Sequence, residues 1–185
     1  MLRHSLVILL AATALLLPPA WNVYESVWLN DWRASPLFDG QAYVVSDGGV
    51  VRSEVDETGL AAALATLLTW NGNTTSEAQV LEKLPETGAD VSLADVTALA
   101  AEYGIEGQWL RIETGALSQL KTPFVAHMAE GNGRVIIVRD VRSGYAYAAD
   151  PARGNVLYPL ERFVETFTGQ VFAFPDPPAQ PEEWR

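Results

Sequence analysis

Residues 56–72 read DETGLAAALATLLTWNG. Leu60, Leu64, Leu67 and Leu68 fall at i, i+4, i+7 and i+8, one face of a 3.6-residue period, so the spacing predicts a helix over about 59–70. Asn71-Gly72 supplies a stop. Thr58 stands where an N-cap hydroxyl accepts a backbone N–H of the first turn, with Asp56 as the other candidate cap. The first question for the fold is what this run of Ala and Leu packs against.

Upstream lies QAYVVSDGGVVRSEV (41–55), two β-branched runs flanking Asp47-Gly48-Gly49, which predicts a hairpin. Downstream, TTSEAQVLEKL (74–84) predicts a second helix capped by Thr74 or Thr75. A third starts at Ser92. Asp95 three residues on approximates a capping box, and Leu93, Val96, Leu99 and Ala100 form its apolar face. From Gly107 the period changes. QWLRIE (108–113) reads as a strand and ETGALSQL (113–120) as a short helix or turn. TPFVAHMA, RVIIVRDV and GYAYAAD read as three strands separated by Gly-containing turns. Leu160–Phe167 reads as a short helix and QVFAFP as a last strand. Helices first and antiparallel strands after predict an α+β layout with the helices packed on the sheet. The tail DPPAQPEEWR (176–185) is rich in proline, which lacks a ladder donor, and is expected to be mobile.

Composition narrows the function. The chain has 185 residues, enough for one domain with short extensions, and 49% of them are hydrophobic. Its net charge of -11 argues against nucleic acid as a partner, since both surfaces are negative. With no Cys there are no disulfides, no thiolate chemistry and no Cys-ligated metal. The two His are His4 and His127, and His127 has no second His or Cys in the domain to join it at a metal. No metal or cofactor is expected. GNG (131–133) and DGG (47–49) lack the glycine spacing and following Lys-Ser/Thr of phosphate loops and read as turns.

The N-terminus carries a targeting signal. Arg3 and His4 precede an apolar run from Leu6 to Leu17, then Pro18-Pro19 and Ala20. Residues 1–24 fit either a cleaved secretory signal or an uncleaved anchor, a spanning helix needing roughly 20 apolar residues. With Arg3 cytoplasmic, both put the rest of the chain outside the inner membrane. The expectation is therefore a single inner-membrane anchor with a periplasmic domain, or secretion to the periplasm after cleavage. Residues 25–41 form a connector. Trp21, Tyr24, Trp28 and Trp32 are candidate contacts to a membrane or a partner. The domain spans 42–175.

The order of these phrases resembles the C39 peptidase family, papain-like domains that cut double-glycine leader peptides in export systems. The resemblance covers about residues 50–174. It rests on GLAAALATLL after Glu57-Thr58, GADVSLADVTALAAEYG (88–104), LSQLKTPFVAHM (117–128), GYAYAADPARG (144–154) and ERFVETFTGQVFAF (161–174). It implies a papain-like cysteine-peptidase fold. The family's nucleophile Cys falls on Thr58, its general-base His on Arg134, its orienting Asp on Asp150, and its oxyanion-hole Gln near Arg52. Three of these four positions depart from the family's pattern.

The replacements do not reproduce the chemistry. A Cys is activated by an imidazole and a helix N-terminus that favour its thiolate. Thr58 has a hydroxyl of far higher pKa and needs a positioned base, and the always-protonated guanidinium of Arg134 cannot be one. The resemblance therefore implies a catalytically inactive domain that binds a peptide or protein partner in an export system. Thr58, Arg134 and Asp150 are its groove candidates, and Arg134 is expected to bridge Asp150 with two parallel bonds. Two alternatives stay open: a structural accessory subunit of a larger membrane protein complex, and an active hydrolase whose relocated site uses Thr58, His127 and Asp150.

Overall fold

A computed structural model describes residues 42–46, 48–54, 58–84, 92–129 and 134–180. The expectations for residues 1–41, among them Trp21, Tyr24, Trp28 and Trp32, lie outside the described residues. Among the described residues, no helix is long and apolar enough to cross a membrane. Contacts divide the chain after Tyr43, and Val44–Arg185 forms the unit that carries the helices and nearly all of the sheet.

The architecture is α+β. Strand β1 (Tyr43–Ser46) is followed by helices α1 (Gly59–Trp70), α2 (Glu77–Leu81) and α3 (Leu93–Glu102). Then come β2 (Gln108–Arg111), a 3-10 turn (Thr114–Gln119), β3 (Phe124–Met128), β4 (Val135–Arg142), β5 (Tyr145–Asp150), β6 (Gly154–Pro159), α4 (Leu160–Thr166) and β7 (Phe167–Ala173). Among the described residues, seven strands make one sheet in the order β1-β6-β5-β4-β3-β7-β2. The pairs from β2–β7 through β5–β6 are all antiparallel.

Helix α1 is the centre of the core. It packs on α2, α3 and β4. Its four-residue apolar face is too narrow a description, because Ala61, Ala62, Ala63, Ala65 and Thr66 are buried along with Leu64, Leu67 and Leu68. A helix apolar all round is one enclosed by its domain, and small Ala side chains let neighbours approach. The single polar residue inside, Thr66, is satisfied: its hydroxyl donates to the Ala62 carbonyl and accepts the Val51 N–H, both at 2.9 Å. Val135 and Ile137 of β4, Ala149 of β5 and Phe172 of β7 belong to the same cluster.

Several local expectations are corrected. The second run of the hairpin, Val50–Glu54, is not a strand, and β1 pairs with β6 instead. Donors that a hairpin would use go elsewhere, Val51 N–H to Thr66 and Ser53 N–H to the Pro151 carbonyl at 2.9 Å. Helix α2 is capped by Ser76, not Thr74 or Thr75: Gln79 completes the capping box of Ser76, while Glu77, three residues after Thr74, accepts the Glu54 N–H instead. Thr58 sits at the N-cap of α1, but its side chain makes no capping bond. Its ψ of 5° is far from the extended backbone of such caps, seen at Ser76 and Ser92 with ψ of 162° and 156°. Strand β6 was not expected, since Gly154, Asn155 and Pro159 in GNVLYP are poor strand formers. The capping box of Ser92 with Asp95 is present.

Candidate functional site

Strands β4 and β5 lie antiparallel with Ile137 opposite Ala149, so the start of β4 meets the end of β5. That register places Arg134 beside Asp150. The expected pair forms: Arg134 Nη2 donates to Asp150 Oδ2. Asp150 is fully buried, while the Arg134 side chain keeps 15% exposure. A buried carboxylate is tolerated only when its lone pairs are filled. Here Tyr158 of β6 donates its hydroxyl to Asp150 Oδ2 at 2.5 Å, Arg153 Nη1 reaches the same oxygen at 3.4 Å, and Ala152 N–H donates to Oδ1 at 2.9 Å. Both guanidiniums also donate to the Tyr158 oxygen, Arg134 at 2.7 Å and Arg153 at 3.0 Å.

The bridge differs from the forked geometry expected in sequence. One nitrogen of Arg134 serves both Asp150 Oδ2 and the Tyr158 hydroxyl, while Oδ1, the oxygen a second parallel bond would need, accepts the Ala152 N–H. Burial, followed by the Asp150 carboxylate, pushes the Tyr158 phenol far above its ordinary value, with Arg134 and Arg153 opposing. It is therefore a neutral donor at physiological pH. Its ring meets Phe163 of α4 edge-on, with centroids 6.3 Å apart, which fixes the phenol from the apolar side.

Arg52 joins the same turn. Its Nε donates to the Pro151 carbonyl at 3.2 Å, and its Nη2 donates to the Ala152 carbonyl. The Ser53 N–H also bonds Pro151, and Glu77 Oε2 accepts the Glu54 N–H at 3.1 Å, tying this segment to α2. The structure thus brings Arg52, Arg134 and Asp150 together around residues 150–153. Thr58 stands at the first turn of α1 and is 8% exposed. His127 lies on β3, with Nδ1 3.0 Å from the Thr168 hydroxyl, which in turn donates to the His127 carbonyl. Burial holds His127 below its usual range. Tyr158 and Arg153 are not singled out by the sequence, which assigns no element to the stretch 154–159 that carries the phenol.

A second feature begins two residues after Thr58. A narrow apolar crevice with about 30 Å³ of internal space runs between α1 and α3. Leu60, Leu64, Leu67, Leu93, Val96 and Trp109 line it, with Thr97 as the polar exception. Leu60 and Leu93 are half-buried rather than covered. Trp109 is fixed there by its Nε1–H, which donates to Thr97 Oγ1 at 3.1 Å. Among the described residues, no group of His, Asp and Glu is arranged to hold a metal.

A helix-first α+β chain in which Arg52, Arg134 and Asp150 meet at one end of β4 and β5 can be compared with known proteins. A model described as the Peptidase C39 family matches residues 49–179. The chain belongs to the C39 peptidase family. It is 28% identical over 133 residues to a Pseudomonas aeruginosa protein described as a probable functional amyloid protease FapD, covering 67% of this chain and 59% of that protein. The chain thus spans about 59% of that relative's length. Among solved structures it resembles a double glycine motif protease from an AMS/PCAT transporter in complex with the leader peptide. The TM-score there is 0.60 and the identity 28%, over 75% of this chain and 96% of that one. The peptidase domain of Streptococcus ComA, a bi-functional ABC transporter, has a TM-score of 0.60 at 19% identity, over 69% of this chain and 98% of that one, and shares the fold. In a C39 domain, Thr58, Arg134 and Arg52 stand where the resemblance puts Cys, His and Gln.

Proposed function

We propose that this chain is a non-catalytic C39 domain that binds a peptide. The observation that carries this reading is the state of Asp150. The carboxylate that would orient a catalytic imidazole is filled by Arg134, Arg153, Tyr158 and the Ala152 N–H. None of these partners is a base at physiological pH. Thr58 adds a hydroxyl where acyl transfer by this family's route needs a thiolate.

Binding is supported by the cleft along α1. Its apolar lining and half-exposed leucines suit the apolar side chains of a peptide lying across α1 and α3. The related transporter protease was solved with a leader peptide, which supports a peptide of that class as the ligand here. The apolar run Leu6–Leu17 behind Arg3 supports placement outside the inner membrane, on an anchor or after cleavage. The test is to incubate the purified chain with double-glycine leader peptides and analyse the mixture by mass spectrometry and equilibrium binding. Intact peptide with saturable binding is expected. Cleavage after the double glycine would refute the loss of catalysis. Absence of binding together with stable capture in a membrane complex would favour the accessory-subunit reading instead.

A further inference from the structure

A second constellation sits at the far end of α1. Trp70 is the last residue of that helix, about 18 Å from Thr58 at 1.5 Å per residue. Against it lies Arg139, which is only 4% exposed. Arg139 is the extra residue of a bulge in β4, between Val138 opposite Ala148 and Asp140 opposite Tyr147. Its guanidinium carbon is 4.7 Å from the centroid of the Trp70 ring. Its Nη1 donates to Asn155 Oδ1 on β6 at 3.2 Å. To get there it must pass over β5, and the residue opposite Asn155 is the small Ala149. Asn155 Nδ2 and Trp70 Nε1 donate to the carbonyls of Gly48 and Gly49, each at 2.6 Å.

Another partner comes from the tail. Gln180 Oε1 accepts from Arg139 Nε at 3.2 Å, and Gln180 Nε2 donates to the Arg139 carbonyl at 3.4 Å. One residue thus presents a donor and an acceptor to one carboxamide. The bulge makes this possible, because its extra residue is left out of the strand ladder. A carboxylate would meet the carbonyl oxygen unfavourably, and an ammonium would meet the guanidinium. Of these three groups, the amide alone satisfies both, with separate atoms. The tail is otherwise lightly held. Phe174 is buried, Pro175 and Asp176 are exposed, and Lys121 Nζ donates to the Pro175 carbonyl at 3.3 Å. Pro175, Pro177 and Pro178 have no N–H with which to pair.

We propose that Arg139, Trp70 and Asn155 form a carboxamide-binding site which Gln180 fills in cis, so that Asp176–Gln180 is a strap displaceable by a partner segment presenting a glutamine or asparagine side chain. The desolvated guanidinium, pulled down to about 10 by burial, then exchanges one amide for another and is never left bare. This site is remote from Thr58 and stands whether or not the domain cuts peptides.

The test follows the Arg139 Nε–H by 1H–15N NMR in the full chain, in wild type and in Gln180→Ala and Gln180→Glu. The expected result is exchange with solvent at least tenfold faster in Gln180→Ala, with Gln180→Glu, whose carboxylate keeps the bond to the Nε–H, closer to wild type. Adding the peptide DPPAQPEEWR should restore protection to Gln180→Ala, and the same peptide with alanine in place of glutamine should not. Equal exchange rates in wild type and Gln180→Ala would overturn the site. Equal rescue by both peptides would overturn its choice of an amide.

Discussion

The Arg134–Asp150 pair can be measured by a double-mutant cycle of Arg134→Met, Asp150→Asn and the two combined. Asp150 is fully buried and accepts bonds from Arg134, Arg153, Tyr158 and Ala152 N–H. Removing one partner of a buried pair typically destabilises by about 3–5 kcal/mol, because the other charge stays uncompensated. Arg134→Met should fall at or below the lower end, about 2–3 kcal/mol, since Arg153 still reaches Oδ2 at 3.4 Å. Asp150→Asn leaves two guanidiniums and the Tyr158 hydroxyl facing a neutral amide, and should cost about 3–4 kcal/mol. In the double variant the neutral amide at position 150 no longer needs Arg134. The combined loss should fall short of the sum by at least about 1 kcal/mol. Urea denaturation gives each value, and thermal melts should drop by about 2–4 °C per kcal/mol. Single losses below about 0.5 kcal/mol, or losses that simply add, would refute the reading of this cluster as one buried network.

Leu60→Glu and Leu93→Asp place carboxylates in the half-covered rim of the cleft. They should weaken leader-peptide binding at least tenfold, read by calorimetry, while leaving the melting temperature within a few degrees. An unchanged affinity would move the peptide site elsewhere. His127 yields a pH prediction. Burial lowers its folded pKa below the ordinary 6.5, so the unfolded chain takes up the proton first. Stability should therefore decline as pH falls from about 6.5 through the folded value, and His127→Gln should flatten that decline in urea titrations across pH 5–8. A steeper decline in the variant would reverse the assigned sign.

Much of the fold is legible in the sequence, because spacing alone locates α1, α3 and the strands β3, β4 and β5. The role of α1 is less so. Leucine spacing shows one face, but enclosure on all sides depends on the alanines, whose burial is set by neighbours far along the chain. The failed hairpin has the same origin, since Thr66 and Pro151 take the Val51 and Ser53 donors from fifteen and nearly a hundred residues away. At the site, Arg134 and Asp150 could be paired through the family resemblance. Tyr158 and Arg153 could not, because β6 itself was unread and its register against β5 decides which side chains reach Asp150. Arg139 was hidden inside RVIIVRDV, where an Arg on a strand reads as solvent-facing. Only the bulge and the alanines of β5 let it turn inward across the sheet. The tail shows how far composition can mislead: its prolines suggest mobility, yet Gln180 finds both a donor and an acceptor on the buried Arg139.

The central claim is binding without cleavage, and fluorescence anisotropy tests it directly. A double-glycine leader peptide, labelled at its N-terminus, is titrated with the chain and then followed for hours at saturation. The account predicts a saturable rise in anisotropy that stays level, because the peptide is held intact. A rise that decays to the value of a freed fragment would contradict it, since the chain would then be cutting.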